Sequence, residues 1–179
     1  MAQARPIFCP TSARLARAIA RAVPRPAAVV GIGNALRGDD GFGPAVVAAL
    51  RGEAGLTLFD VQAVPESFLV PIVRCGCAGI VFVDAADLGA AAGRVALVPP
   101  ECVAEVAVST HAVSLALVAE AIARLAEDEG RRVRCALLAA QPAGLDAADR
   151  LSPAAQRAVV LAAEGIRLFA RASPAGADC

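Results

Sequence analysis

Residues 27–43 read AAVVGIGNALRGDDGFG, and this stretch decides the fold. Its first part, residues 27–33, is an apolar, β-branched run that ends in glycines, which predicts a buried strand. A polar, glycine-rich loop over 34–43 follows. An apolar helical segment is then predicted from Pro44 through Leu50. Proline is compatible with the first turn of a helix, because its missing N–H removes no hydrogen bond there. A buried strand that leads through a loop into a helix is typical of an α/β protein.

The alternation of strands and helices continues along the chain. Further strands are predicted at 56–59, 79–83, 94–98 and 133–140, and further helices at 65–73, 111–126 and 153–170, the last with Ser152 as its N-cap. Strands that are apolar throughout indicate a mostly parallel, twisted sheet with helices on both faces, which is a three-layer α/β sandwich. The strand at 94–98 stops at two prolines and is the candidate for antiparallel pairing.

The 179 residues suit one domain, which the strand and helix pattern places at 27–172. Residues 173–179 are expected to form a frayed tail. Residues 1–26 form a basic extension with two interpretations. Residues 13–22 could form a basic amphipathic helix, as in a transit peptide or a surface helix. The favoured alternative is an extension outside the domain, expected to be disordered, because the domain pattern begins only at Ala27.

Composition excludes several classes of partner. The 17 Lys and Arg residues balance 17 Asp and Glu residues, so no global field attracts nucleic acid or an anionic membrane. No uncharged apolar run reaches the roughly 18 residues that a bilayer span needs. Neither nucleic acid nor a membrane is therefore an expected partner.

The six cysteines are scattered and no secretory segment precedes them. A reduced, cytoplasmic compartment is therefore expected, with small buried thiols rather than disulfides. Cys75 and Cys77 form the one close pair, and with a single histidine in the chain they give poor support for a structural zinc site.

Three polar stretches carry the candidate chemistry. Asp40 lies in the loop after the first strand, Asp84 at the end of the strand over 79–83, and His111 at the start of the long helix. Loops that follow adjacent parallel strands meet at one edge of a sheet, so these side chains could converge there. Two carboxylates and an imidazole suit a divalent first-row metal with open positions. From spacing alone, structural roles such as helix caps or core positions remain the alternative.

Other site classes are less well supported. The glycines at 31 and 33 begin a dinucleotide-binding pattern, but Leu36 replaces the third glycine and two carboxylates would repel a pyrophosphate. No phosphate-binding P-loop or serine nucleophile elbow is present. A serine or cysteine nucleophile would need His111 as its base, and no spacing supports that pair.

The glycine-loop sequence at 31–43, with VDA at 83–85 and STH at 109–111, resembles the nickel-iron hydrogenase maturation endopeptidases. The resemblance runs from about Ala27 to the end of the last helix. VPES at 64–67, DAADLG at 84–89 and QP at 141–142 look closest to the subgroup that acts on formate-hydrogenlyase-type hydrogenases. These enzymes remove a C-terminal peptide from the hydrogenase large-subunit precursor after nickel insertion.

The resemblance implies a role for each matching residue. Asp40, Asp84 and His111 correspond to a nickel-binding trio, and the nickel is the ion already seated in the substrate. Asp40 is also the candidate catalytic residue of an aspartic-type endopeptidase. The implied substrate-binding residues are Gly33, Asn34, Asp39, Gly41 and Asp60.

Two points within this motif remain open. Asp39 could orient Asp40, or it could cap the following helix, and the second role is favoured. The sequence DVQA at 60–63 stands where the family often has Asp-Gly-Gly-Thr, so the conformational freedom of paired glycines is expected to be lost beside Asp60.

The expected function is a cytoplasmic endopeptidase whose partner is the nickel-loaded hydrogenase precursor. One alternative is a non-enzymatic nickel carrier or checkpoint protein that uses the same three residues for binding alone. A second alternative is a degenerate homologue, inactive because Gln62 and Ala63 alter the cleft.

Overall fold

A computed structural model describes residues 6–99, the backbone of 107–108, and residues 115–172. The strands are β1 (Ile7–Phe8), β2 (Ala27–Ile32), β3 (Leu56–Gln62), β4 (Gly79–Asp87), β5 (Val95–Val98), β6 (Ala107–Val108) and β7 (Arg134–Ala140). The helices are α1 (Ser12–Ala22), α2 (Phe42–Ala49), α3 (Leu69–Arg74), α4 (Leu115–Asp128) and α5 (Pro153–Arg171). Short 3₁₀ helices, Gly38–Gly41 and Pro65–Phe68, precede α2 and α3.

Six strands form one sheet in the order β1-β5-β7-β4-β2-β3. Strands β3, β2, β4 and β7 run parallel, whereas β5 is antiparallel to both β7 and β1. The short strand β6 pairs antiparallel with the end of β4. The predicted mostly parallel sheet is confirmed, and so is the antiparallel strand that stops at the prolines.

Helices cover both faces of this sheet. One core packs α1, α2 and α5 against one face, and the other packs α3 and α4 against the opposite face. Along β4 the alternation is direct, because Val81 and Val83 belong to the first core and Ile80 and Phe82 to the second. The three-layer α/β sandwich predicted from the sequence is therefore confirmed.

The predicted N-terminal extension is corrected by β1 and α1. Strand β1 extends the sheet beside β5, and α1 packs against α5 with Leu15 and Ile19 fully buried. Of the two interpretations, the amphipathic helix is the right one, but its apolar face is part of the core. Residues 6–26 therefore belong to the domain, whereas residues 1–5 and the predicted tail at 173–179 lie outside the described residues.

Several element boundaries differ from the prediction for local reasons. Helix α2 begins at Phe42, before Pro44, because the 3₁₀ helix at Gly38–Gly41 already turns the chain into it. Strand β4 continues beyond the predicted end, because β7 pairs with it as far as Ala85 and β6 pairs with Asp87. The predicted start of the long helix, 111–114, lies outside the described residues.

In the part of the chain that the structure describes, no helix combines the length and the apolar character of a membrane span.

Glycines allow α2 to pack closely against the carboxyl ends of β2 and β4. A Cβ on Gly43 would lie 2.2 Å from the Ile32 carbonyl oxygen and 2.4 Å from the Val83 carbonyl oxygen. A Cβ on Gly31 would lie 2.6 Å from the Gly43 carbonyl oxygen. Because these neighbours are backbone atoms of a strand or a helix, they cannot rotate away as a side chain can.

We expect Gly43→Ala to destabilise the protein by about 3 kcal/mol or more, since one methyl group would push α2 away from two strands. Gly144→Ala is the matched control, because a Cβ at Gly144 meets no atom within 4 Å. Urea unfolding followed by circular dichroism measures both variants. Equal stability of the two would contradict this account of the α2 contact.

Candidate functional site

The candidate site lies at the carboxyl end of β2, where β4 continues beside it. Gly31 pairs with Val83 in the last β2–β4 pair, and Asp84 is the next residue of β4. The 3₁₀ helix that carries Asp40 contacts β4. The structure therefore brings Asp40 and Asp84, from separate parts of the sequence, to one edge of the sheet.

Asp40 is a buried carboxylate with one unsatisfied oxygen. The residue is 1% exposed. Its Oδ2 accepts a hydrogen bond from the Asn34 backbone N–H at 2.8 Å. Its Oδ1 is buried and has no hydrogen-bond partner among the residues that the structure describes. Such an oxygen is costly to bury, so a carboxylate held in this way is suited to a cation or a proton donor.

Asp84 is fully buried within β4. Its Oδ1 accepts a hydrogen bond from the backbone N–H of Ala85 at 2.8 Å, which fixes the side chain close to its own strand. The residue pairs with Ala139 of β7, so it lies inside a strand and not, as predicted, at a strand end. A central strand is among the most rigid parts of a domain, which favours a fixed position for this carboxylate.

Asp39 has a structural role that differs from the predicted cap of the following helix. Its Oδ2 accepts from the Ala143 N–H at 2.7 Å and from the Ser152 hydroxyl at 2.8 Å, and its Oδ1 accepts from the Ser152 N–H at 2.7 Å. It does not cap α2, whose N-cap is Gly41 without a side-chain bond. Asp39 instead ties the glycine loop to the segment after β7 and to the start of α5.

The loop residues predicted to bind substrate surround Asp40. Gly33 has φ of 132°, and a Cβ there would lie 1.8 Å from the Asp40 carbonyl oxygen, so only glycine fits. Asn34 is half-buried, and its side-chain oxygen accepts from the Leu36 N–H at 2.9 Å. Gly41 is buried beside Ala35. The loop is thus fixed by its own hydrogen bonds before any ligand arrives.

Asp60 and Gln62 form the neighbouring end of β3. Asp60 is exposed, and its Oδ1 accepts from the Gln62 N–H at 3.4 Å. The β2–β3 register shifts here, so that Ile32 pairs with Gln62. Gln62 has φ of 51°, a left-handed conformation that glycine adopts most easily. Gln62 thus adopts a backbone conformation typical of glycine, and the expected loss of the conformational freedom of paired glycines stays a prediction.

His111 lies outside the described residues, so its position relative to Asp40 and Asp84 stays a prediction. Within residues 6–99 and 115–172, no group of three His, Cys, Asp or Glu side chains is arranged to hold a metal ion. A complete three-ligand site would therefore need His111 or a ligand from a partner.

The described cysteines are free thiols, as predicted. Burial raises the pKa of the Cys135 thiol to about 12, and it also raises the pKa of Cys9 and Cys77. These three thiols are therefore protonated at neutral pH and are poor nucleophiles.

Gln141, named above only for the resemblance of QP at 141–142, holds the chain after β4 in place. Its side-chain oxygen accepts from the Leu88 N–H at 2.7 Å and from the Ala90 N–H at 3.2 Å. It thereby fixes the backbone of the turn at residues 88–90, directly after β4. A polar residue directly after a buried strand and before a proline indicates a turn, but it does not indicate which distant backbone N–H groups its side chain contacts.

The model of the HycI family, described as hydrogenase maturation protease, matches residues 46–167 of this chain. The chain belongs to the HycI hydrogenase maturation protease family. The family indicated by the sequence motifs is thereby confirmed. The matched stretch includes Asp84 and position 111, whereas Asp40 precedes it.

Two kinds of relative support this membership. The hydrogenase 3 maturation protease of Escherichia coli (strain K12) is 30% identical over 81 residues, which are 44% of this chain and 52% of that protein. The chain thus spans about half the length of the curated HycI-family relatives that it matches. The crystal structure of the NiFe hydrogenase maturation protease HycI from Thermococcus kodakarensis KOD1 superposes with a TM-score of 0.70 at 27% identity, over 80% of this chain and 91% of that chain.

HybD from Thermococcus kodakarensis, a NiFe hydrogenase maturation protease, has the same fold. It superposes with a TM-score of 0.67 at 21% identity, over 81% of this chain and 99% of that chain.

Neutralising each of the two adjacent aspartates of this HycI-family chain should change the free energy of unfolding by different amounts. Asp39→Asn should cost about 2–3 kcal/mol, because a buried carboxylate that accepts three hydrogen bonds loses its charge and one acceptor. Asp40→Asn should cost less than about 1 kcal/mol or stabilise the protein, because Oδ1 has no donor to lose. Chemical unfolding of both variants measures this difference, and similar losses would contradict the assignment.

Gln62→Gly should raise the free energy of unfolding by about 1 kcal/mol, because it removes the strain of a left-handed, non-glycine residue. Gln62→Ile is the control and should lower it, since a β-branched side chain tolerates that conformation least. Thermal unfolding compares the two variants with the natural chain. A stabilising isoleucine would argue against strain at this position.

Proposed function

We propose that this protein is an endopeptidase that removes a C-terminal peptide from the nickel-loaded large-subunit precursor of a NiFe hydrogenase. Family membership supports the reaction class. The single observation that carries the proposal is the unsatisfied, buried Oδ1 of Asp40 at the sheet edge that also holds Asp84.

The nickel belongs to the substrate in this proposal. Asp40 and Asp84 offer carboxylate oxygens, and His111 would offer an imidazole nitrogen, so the donor set suits a divalent first-row ion that keeps open positions. A carboxylate with one oxygen fixed by the Asn34 N–H and the other unsatisfied needs no rearrangement before it meets a cation. Recognition of the metal would thus distinguish a loaded precursor from an empty one.

The rigid loop around Asp40 favours close approach of another polypeptide. The Leu36 carbonyl oxygen accepts from the Ala148 N–H at 3.1 Å, and the Gly38 N–H donates to the Ala148 carbonyl oxygen at 3.0 Å. Leu36 itself is 71% exposed although its backbone is held on both sides. The loop therefore offers a rigid, partly apolar surface beside the carboxylate proposed to bind the metal. Such a surface is suited to a folded precursor with an extended tail.

The chemistry required is hydrolysis of one peptide bond. A water oxygen adds to the scissile carbonyl carbon, the C–N bond breaks, and the amine leaves with a proton. Nickel bound in the precursor can polarise the carbonyl or the water. The role of this chain is to hold the metal region of the precursor and the scissile bond in one orientation, with Asp40 at the contact.

The direct test incubates the full chain with purified large-subunit precursor from the same organism, in nickel-loaded and nickel-free forms. Mass spectrometry should find the shortened subunit and the released peptide only with the loaded form. Equal cleavage of both forms would overturn nickel recognition. Nickel binding without any peptide release would instead favour a non-enzymatic carrier.

Substitutions test the roles proposed for the three candidate metal-binding residues. Asp40→Asn, Asp84→Asn and His111→Ala should each lower the cleavage rate by about 100-fold, in the range found when metal ligation is disturbed. Asp128→Asn, an exposed change on α4, is the matched control and should leave the rate unchanged. Full activity of Asp40→Asn would remove the basis of the proposal. If the natural chain is inactive and glycines at 62 and 63 restore cleavage, the degenerate-homologue alternative is correct.

A further inference from the structure

Three arginines form a basic ridge on the outer face of α1. Arg14, Arg17 and Arg21 follow one another at spacings of three and four residues, which places them on one side of a helix. All three are exposed, while Leu15 and Ile19 on the other side are fully buried. Like charges at these spacings repel each other, so the arrangement destabilises the free helix slightly.

No acidic side chain of the described residues neutralises this ridge. The ion pairs of the described chain involve other arginines, such as Arg167 and Arg171, which both contact Glu53. The sequence contains no Asp or Glu before Asp39. An overall charge of zero therefore conceals a local excess of positive charge at α1.

The ridge borders a groove at the β1 edge of the sheet. This groove has a volume of about 540 Å³ and is lined by the three arginines together with Ile7, Thr11 and Ala18. A smaller hollow of about 180 Å³ shares Ile7, Ala18 and Arg21 with it and adds a fourth arginine, Arg134. We call the two together the arginine groove. Ile7, which is 40% exposed, gives its floor an apolar contact point.

The dimensions of the groove match an extended peptide. Arg14 and Arg21 are separated by about 10 Å along the helix axis, at about 1.5 Å per residue. An extended chain advances about 3.3 Å per residue, so three or four residues span the ridge. Planar guanidinium groups bind carboxylates in paired hydrogen bonds, which gives geometric selectivity as well as attraction.

We propose that the arginine groove binds an extended acidic segment of a partner polypeptide. The three arginines of α1, with Arg134, supply the positive charge, and Ile7 with Ala18 supplies the apolar floor. This surface is separate from the Asp40 edge, so the inference stands or falls independently of the proposed protease activity.

Two other anionic partners fit less well. A helix that lies on a membrane inserts its apolar face into the lipid, but the apolar face of α1 is buried against α5. Single-stranded nucleic acid binding relies on exposed aromatic platforms beside the charges, and no aromatic side chain of the described residues lines the groove. Carboxylates on a flexible peptide need only the charge and the narrow floor that the groove offers.

The test measures fluorescence anisotropy of a fluorescein-labelled hexaglutamate peptide added to the full chain, with a hexaglutamine peptide as the ligand control. The triple variant Arg14→Gln/Arg17→Gln/Arg21→Gln should bind the acidic peptide at least about tenfold more weakly. The matched variant Arg51→Gln/Arg132→Gln/Arg157→Gln removes the same charge from exposed positions outside the groove and should bind as the natural chain does. Binding should weaken between low salt and about 0.15 M salt, where the Debye length is about 8 Å.

Two controls keep the result interpretable. The groove variant should unfold at the same or a higher urea concentration than the natural chain, because repulsion along α1 is relieved. Phosphatidylserine vesicles and a labelled single-stranded DNA are measured in parallel. Equal loss of peptide binding in both triple variants, or binding of vesicles or DNA that is tighter than peptide binding and depends on the groove arginines, would overturn the proposal.

Discussion

The closeness of β2 and α2 is the constraint on which the candidate site depends. Gly31, Gly33 and Gly43 leave no room for a Cβ between the strand end and the start of the helix. The loop between them must therefore fold back on itself, and this places Asp40 beside the Asn34 N–H and next to β4. A wider spacing would move the carboxylate away from Asp84 and expose it to water, where it would have no special affinity for a cation.

Two adjacent aspartates in this loop do different work because their surroundings differ. Asp39 has its hydrogen-bonding capacity satisfied by Ala143 and Ser152, so it behaves as a structural tie between distant segments. Asp40 has an oxygen left over. The first carboxylate thus stabilises the fold, and the second keeps an oxygen that can bind a ligand. A functional group is often held rigidly by neighbouring residues in this way, while its own reactive atom stays unbonded.

The sequence was informative where local chemistry determines structure. The apolar strand ending in glycines, the Ser152 cap of α5 and the antiparallel strand before the prolines depend on neighbouring residues, and all were predictable. The partners of Asp39 and Gln141 depend on contacts between residues far apart in sequence, which no local pattern encodes. The core role of α1 was not predicted for the same reason. Its arginines suggested a surface helix, and Gly165 of α5, against which Leu15 packs closely, lies near the other end of the chain.

The packing of α1 on α5 also has a consequence for synthesis. Leu15 leaves the ribosome long before Gly165 is made, so α1 can contact β5 and β7 before α5, the helix it packs against, has been synthesised. During that interval one face of α1 lacks its helical packing partner. The core around α1 is therefore complete only once the far end of the chain has been synthesised.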